Sequence, residues 1–321
     1  MKSASNKPII GISMCLLGTN VRHDGGNCAN SFANKSLSEF FEWHPVCPEV
    51  GSGMSTPRPA MRLVQTESGI RLRESQSGKD RTEQLTTYCA SLVQKLSTLP
   101  LQGFILKSKS PSCGLKRVMV YGEKGNKVAA RNGLFTEALQ QALPFLPIEE
   151  DGRLNDVTLR EHFVERVYAY GRWTAFRANK PQPKHLVQFQ QRHKMQLYAH
   201  DPRLAQKLGR LAGNHGESSF EDVLKNYEAT FFECLSNPTK HGRHANVLHH
   251  LMGFLKNTLD SGDKQELLEQ IEAYRLRHTP LAVPLMLLNH HLRRHPHPWV
   301  GSQTYLEPYP GALRHGQILV G

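Results

Sequence analysis

Two stretches of this chain share one pattern, a short apolar run that ends in a polar turn carrying a cysteine. They are KPIIGISMCLLG at 7–18 and LQGFILKSKSPSCG at 101–114. A short apolar run bounded by turn residues reads as a buried strand. Between them lies TEQLTTYCASLVQKLS, residues 82–97, whose apolar positions Leu85, Tyr88, Cys89, Leu92 and Val93 follow the helical period. Strand, helix, strand is the order of a parallel crossover, so the first half is predicted to be an α/β domain with a mainly parallel sheet. Ligands of such sheets sit beyond the carboxyl ends of the strands. Both cysteine turns fall there. A third cysteine, Cys47, follows a short apolar stretch in HPVCPEVGSGMSTPRPAMRL, which then turns rich in Gly, Ser and Pro and reads as a loop.

A chain of 321 residues exceeds the usual size of one domain. The stretch LPFLPIEEDGRLND at 143–156 marks a boundary, giving domains at 1–150 and 151–321. The second domain is predicted to be all-α, with helices in LREHFVERVYAYGRWTAF, KHLVQFQQRHKMQLYAH, FEDVLKNYEATFFECLS, HANVLHHLMGFLKNTL and KQELLEQIEAYR. From about residue 293 the chain is rich in Pro and His and reads as irregular and loosely docked. Histidine separates the halves: two of 17 stand before residue 150.

Hydrophobic residues make up 39% of the chain and charged residues 21%, ordinary globular usage. The sequence has no apolar run of about 18 residues and no apolar leader core in MKSASNKPII, so no membrane partner is expected and the protein is read as cytoplasmic. Six cysteines are too few for a disulfide scaffold, and in a reducing compartment such thiols point to metal binding or catalysis. A net charge of +12, shared evenly between the halves, points to a polyanionic partner, because clustered Lys and Arg release counterions from phosphates. No protein partner is inferred.

Cys15 in SMCLLG, Cys47 in VCPEVGSG and Cys113 in SPSCG each stand beside turn-forming residues. Thiolates suit iron and zinc, and backbone N–H groups in a turn stabilise sulfur charge on a cluster. A zinc site would show paired C-x-x-C spacing, which this chain lacks. From spacing alone each thiol also fits a small buried hydrophobe. Cys28, Cys89 and Cys234 are read as structural.

The three motifs, with GTNVRHDGGN, STPRPAMRL and ILKSKSPSCG, resemble the TudS-type thiouracil and thiouridine desulfidase family over about residues 8 to 150. The second half, through RVYAYGRW, LVQFQQRHKMQLYAHDP, HANVLHHLMGFLKN and PLAVPLMLLNHHL, resembles the YbgA-type helical domain. The pairing is similar to the RudS-type tRNA 4-thiouridine desulfidases. Two positions depart from the family pattern: His23 follows Arg22 where Tyr is usual, and GSGMS replaces LGGLP after CPEV.

The resemblance implies a [4Fe-4S] cluster held by Cys15, Cys47 and Cys113, with one iron free of protein ligands. Such an iron is a Lewis acid that prefers soft sulfur and would polarise a thiocarbonyl, so that water displaces sulfide with no net redox change. It also implies that Glu49, two residues past Cys47, is the general base; a solvated loop carboxylate is the other reading. Ser110 and Ser112 could orient the base or relay a proton, or could serve only the local turn. Arg58 and Lys107 could contact phosphate or the substrate oxygen, or be simply solvated.

The substrate implied is 4-thiouridine in thiolated tRNA. The alternatives are free thiobases such as 2-thiouracil, a noncatalytic RNA-binding or cluster-sensing protein, and zinc-dependent hydrolysis on the same thiols. In the second domain Arg172, Arg177, Arg192, Lys194 and Arg203, interleaved with Trp173 and Tyr198, could take phosphates and stack bases. Trp173, Phe189 and Tyr198 equally fit a helical core. His244, His249 and His250, or His290 and His291, could supply metal ligands, although no H-E-x-x-H pattern occurs.

Overall fold

The parallel crossover is built by strands whose residues are buried along nearly their whole length. In a computed structural model that describes residues 7–213 and 219–314, β1 (Ile9–Ser13), β2 (Glu42–Val46), β3 (Met61–Thr66), β4 (Gly69–Glu74), β5 (Leu101–Leu106), β6 (Val118–Gly122), β7 (Lys127–Arg131) and β8 (Ile148–Glu150) form two sheets. The first, in the order β2-β1-β5-β8, is parallel throughout. Its two central strands are the two apolar runs of the sequence. Gly11 is needed in β1 because a Cβ there would lie 2.2 Å from the Phe104 ring of β5.

Between β2 and β3 a single turn, α1 (Pro48–Gly51), follows Cys47; α2 (Thr82–Ser97) precedes β5, and α3 (Leu134–Ala142) precedes β8. The buried face of α2 is Leu85, Cys89, Val93 and Leu96, which join Phe104, Phe135, Leu139, Leu63 and Leu72 in one core. The second sheet, β4-β3-β6-β7, has two antiparallel pairs joined by the parallel pair β3–β6. It is not foreseen in the sequence, where the residues before β3 read as loop. Its strands carry Arg62, Arg71, Arg73, Lys127 and Arg131 among their apolar residues, which blurs the alternation that marks a strand.

The chain divides into two compact units between Gly171 and Arg172, inside α4 (Val157–Ala178). The first turns of α4 belong to the sheet unit: a Cβ on Gly103 of β5 would meet Val167 at 2.8 Å, and Tyr168 packs against Phe41.

The second unit is helical, as predicted. It contains the remainder of α4 and α5 (Pro183–His200), α6 (Pro202–Gly213), α7 (Phe220–Ser236), α8 (His241–Gly253), α9 (Ser261–Arg275), α10 (Ala282–Arg294) and the single turns α11 (Pro298–Gly301) and α12 (Gly311–Arg314). Trp173 is fully buried, stacked on Tyr227 at 5.4 Å and on Phe231 at 5.9 Å, with its indole N–H donated to Glu228 at 2.7 Å. Phe189 joins the same cluster, so both aromatics are core. The segment after 293 is packed rather than loosely docked. Val300, Tyr305, Leu306 and Tyr309 are buried, and the Gln303 amide donates to the Gln191 carbonyl and accepts from the Met195 N–H. No helix among the described residues is long and apolar enough to cross a membrane.

Gly133, just before α3, supports the turn that carries Cys113: an added Cβ would stand 2.4 Å from the Ser112 carbonyl oxygen and 2.8 Å from the Cys113 nitrogen. These are backbone atoms, which cannot rotate away. Gly133→Ala is expected to destabilise the protein by about 1–3 kcal/mol, as overpacking does, read as a lower urea midpoint with unchanged slope.

Candidate active site

β2, β1 and β5 are neighbours in the parallel sheet, so their carboxyl ends lie side by side, and the chain leaves each end through a cysteine turn. Ser13 of β1 is in register with Val46 of β2, and Ile12 with Ile105 of β5. Cys15 follows in the 3-10 turn Met14–Leu17, Cys47 precedes α1, and Cys113 sits in the turn after β5. All three line one cleft of about 320 Å³, together with Arg22, His23, Glu49, Arg58, Lys107, Lys109 and Ser110.

Burial is the main influence on these thiols. It pushes Cys15 up to about 12, with the charges of Cys28 and Cys47 adding to it. Burial also raises Cys47, partly offset by the Val50 and Glu49 N–H groups and by Arg58. Cys113, buried, is raised well above its usual value by burial and then by Glu49, Cys47 and Cys15, against which the Ser13 hydroxyl acts. The thiols therefore sense one another's charge.

Glu49 is only 9% exposed. Its Oε1 accepts the Ser112 hydroxyl at 2.7 Å, and its Oε2 accepts the Arg58 Nε–H at 2.8 Å. Arg58, with a side chain 6% exposed, also donates to the Val21 carbonyl at 2.9 Å, tying the loop after Cys15 to the loop after α1. Arg58 is thus a buried clamp on Glu49, not a solvated loop cation. Oε2 also accepts an Arg58 Nη2–H, so both of its lone pairs are engaged, and Oε1 keeps one direction for a further donor.

Ser110 and Ser112 divide their work. Ser110 Oγ accepts the N–H groups of Ser112 at 3.2 Å and Cys113 at 3.1 Å, shaping the turn while lining the cleft. Ser112 is fully buried behind Glu49. Lys107 donates to Asp151 Oδ2 at 2.7 Å, and the second Asp151 oxygen accepts the Ser108 N–H at 2.9 Å. Burial raises the Asp151 carboxyl, but those two donors outweigh it and hold the group below the usual range.

Asp151, Ser13 and Lys109 carry no signal of their own in the sequence. Asp151 is the last residue of the IEED run at the end of β8, where only knowledge of the strand end marks it out. Cys28 is half-buried: its N–H donates to the Cys15 carbonyl at 2.9 Å, and the Arg22 guanidinium contacts its sulfur. Cys89 and Cys234 are buried.

The RNA candidates of the helical unit are used differently. Arg172 donates to His193 at 3.1 Å and to the Pro308 carbonyl at 2.7 Å, so its guanidinium is spent inside the unit. Arg177 pairs with Glu221 at 2.7 Å. Arg192 is exposed, Arg203 has a side chain 93% exposed, and Lys194 lies over the Trp299 ring at 5.9 Å. Among the described residues no group of three or more His, Cys, Asp or Glu is gathered as a single metal ion requires.

Comparison with known proteins also gives two parts, with the first match ending near the Pro- and Gly-rich stretch at 151. Residues 10–151 match the 2-thiouracil desulfurase family, and residues 194–310 match a family described as a protein of unknown function, DUF1722. The uncharacterized protein YbgA of Escherichia coli is 31% identical over 42% of this chain and 81% of its own length. The uncharacterized protein YbbK of Bacillus subtilis is 29% identical over 46% of this chain and 97% of its own. A solved structure described as a [4Fe-4S]-dependent thiouracil desulfidase, TudS, is 26% identical over 49% of this chain and 100% of its own, with a TM-score of 0.38.

Raised thiol values have a direct chemical readout, since the thiolate is the nucleophile. In metal-free protein at pH 8, Cys15 and Cys113 are expected to react with iodoacetamide at least tenfold more slowly than in urea-unfolded chain, measured by peptide mass spectrometry. A folded value above the unfolded one means stability that is present below about pH 9 and is lost as pH rises further.

Proposed function

We propose that this chain, which belongs to the family of Escherichia coli YbgA and carries a 2-thiouracil desulfurase domain over residues 10–151, converts 4-thiouridine in tRNA to uridine and releases sulfide. The match of residues 10–151 to the 2-thiouracil desulfurase family supports the desulfidase chemistry. The tRNA substrate and the non-redox course are our reading, supported by the net charge of +12 and by a cleft that pairs thiols with a clamped carboxylate. A tRNA substrate places the reaction in the cytoplasm.

One observation carries the reading: Cys15, Cys47 and Cys113, from three adjacent strand ends, line the cleft that Glu49 also lines. The donor set fits a [4Fe-4S] cluster. Three thiols that sense one another but are not gathered for a single ion suit a polynuclear centre, and the N–H groups of Glu49 and Val50 beside Cys47 suit anionic sulfur. Held by these thiolates, the cluster supplies Lewis-acidic iron to a thiocarbonyl sulfur.

The chain's own residues handle water and protons. Ser112 and Arg58 fix the Glu49 carboxylate, which takes a proton from water as its oxygen adds to the carbon bearing sulfur. The added hydroxyl then gives its proton to solvent as the carbonyl forms and the C–S bond breaks, and sulfur takes the proton held by Glu49 and leaves as hydrosulfide. One water is consumed and no electron is exchanged. Lys107, held by Asp151, brings positive charge to the cleft for an oxygen of the base.

A second reading, desulfuration of free 2-thiouracil, is favoured by the description of the matching family. Cluster-loaded protein prepared without oxygen should release sulfide from 4-thiouridine tRNA, and bulk tRNA should inhibit its action on free 2-thiouracil. Absence of sulfide from thiolated tRNA sinks the tRNA reading. Glu49→Gln should lower kcat by about 10²–10⁴-fold, the range of general base catalysis, while the visible absorption of the cluster is retained.

A further inference from the structure

The helical unit leaves a group of aromatic rings at its surface. Phe254, at the end of α8, is 39% exposed. Its ring lies 4.9 Å from Trp299 of α11, 5.1 Å from His297 and 5.4 Å from His250. Lys194 of α5 places its ammonium 5.9 Å from the centre of the Trp299 ring. His250 is exposed, while His297 and Trp299 are half-buried. Large aromatics gain most from burial, so a Phe left facing water beside a partly open Trp needs an occupant.

The charge of the surrounding chain says which kind. Residues 179–200, 237–259 and 273–306 contain no Asp or Glu, and they carry four, three and four Lys or Arg. These segments include α5, α8 and α11, the elements that supply the patch, and also α10. The acidic residues of the unit stand in other segments, on α7, on α9 and its cap Asp260, and at Asp201, Glu217 and Glu307. Rings beside cations, within segments free of carboxylates, are what unpaired nucleotides require: bases stack on the rings and phosphates meet the cations.

We infer that Phe254, Trp299, His250 and His297, flanked by Lys194, form a stacking surface for unpaired RNA bases. The inference rests on the tRNA reading and adds to it the part of the helical unit that takes single-stranded segments. Exposed Met286 on α10, 62% exposed, has no ring to offer and stands as a control.

The test uses the full chain and a fluorescein-labelled single-stranded RNA, with tRNA as a second ligand, followed by anisotropy. Phe254→Ala should raise Kd roughly tenfold, as loss of one base–aromatic stack does. Phe254→Leu, which keeps the apolar volume but no ring, should behave like Ala, and Phe254→Trp should bind as the parent does. Met286→Ala should leave Kd unchanged, and sulfide release from free 2-thiouracil should be unaffected by any Phe254 variant. If the parent binds RNA and the Ala and Leu variants bind equally well, the stacking surface is wrong and the tRNA reading stands. If the parent binds no RNA at all, both fall. Loss of binding to phosphatidylglycerol vesicles in Phe254→Ala, with RNA affinity unchanged, would assign the patch to a membrane and overturn the inference.

Discussion

The site exists because β2, β1 and β5 pair side by side in parallel. Parallel pairing brings all three carboxyl ends to one edge, so residues far apart in sequence meet without any long loop. Cys15 and Cys47 stand just after the ends of β1 and β2, and Cys113 lies in the turn that follows β5. The packing that fixes the edge is tight: Phe104 of β5 fills the space left by Gly11 of β1, and Gly133 leaves room for the turn holding Cys113. A methyl group at either glycine would be felt at the thiols, because the intervening atoms are ring or backbone.

Within that edge Glu49 is the point where separate segments are tied together. Ser112 reaches it from the turn after β5, and Arg58 from the loop before β3; Arg58 in turn holds the carbonyl of Val21. A carboxylate with only one of these partners would be free to rotate. With both, its two oxygens are fixed and the remaining lone pair of Oε1 points in a set direction. That is the condition for positioning a water rather than merely attracting one.

The central strands, α2 and most of the long helices are legible because their apolar positions follow one period without interruption. The cysteine turns are legible because strand ends in a parallel sheet are ligand sites. What stays hidden depends on pairing over distance. Lys107 reads as a loop cation until Asp151, at the end of β8, is seen to hold it. Arg58 reads as solvated until its bond to Glu49 is seen. α6 carries its buried residues Ala205, Leu208 and Ala212 among lysines and arginines, and the segment after 293 gains its packing from Gln303 and two tyrosines rather than from an aliphatic run.

The same distinction governs the basic residues of the helical unit. By sequence Arg172 and Arg192 have equal standing, yet Arg172 is bonded to His193 and Pro308 while Arg192 is exposed. A guanidinium already holding two internal acceptors would have to break those bonds to reach a phosphate, and the loss is comparable to what the new bond returns. Cations that bind a polyanion must be the unspent ones. The absence of Asp and Glu along a segment lowers the number of carboxylates within its reach but does not remove them, since Arg275 pairs with Glu272 and Arg243 with Asp201, carboxylates that stand outside the acid-free segments, whereas Arg192 is exposed.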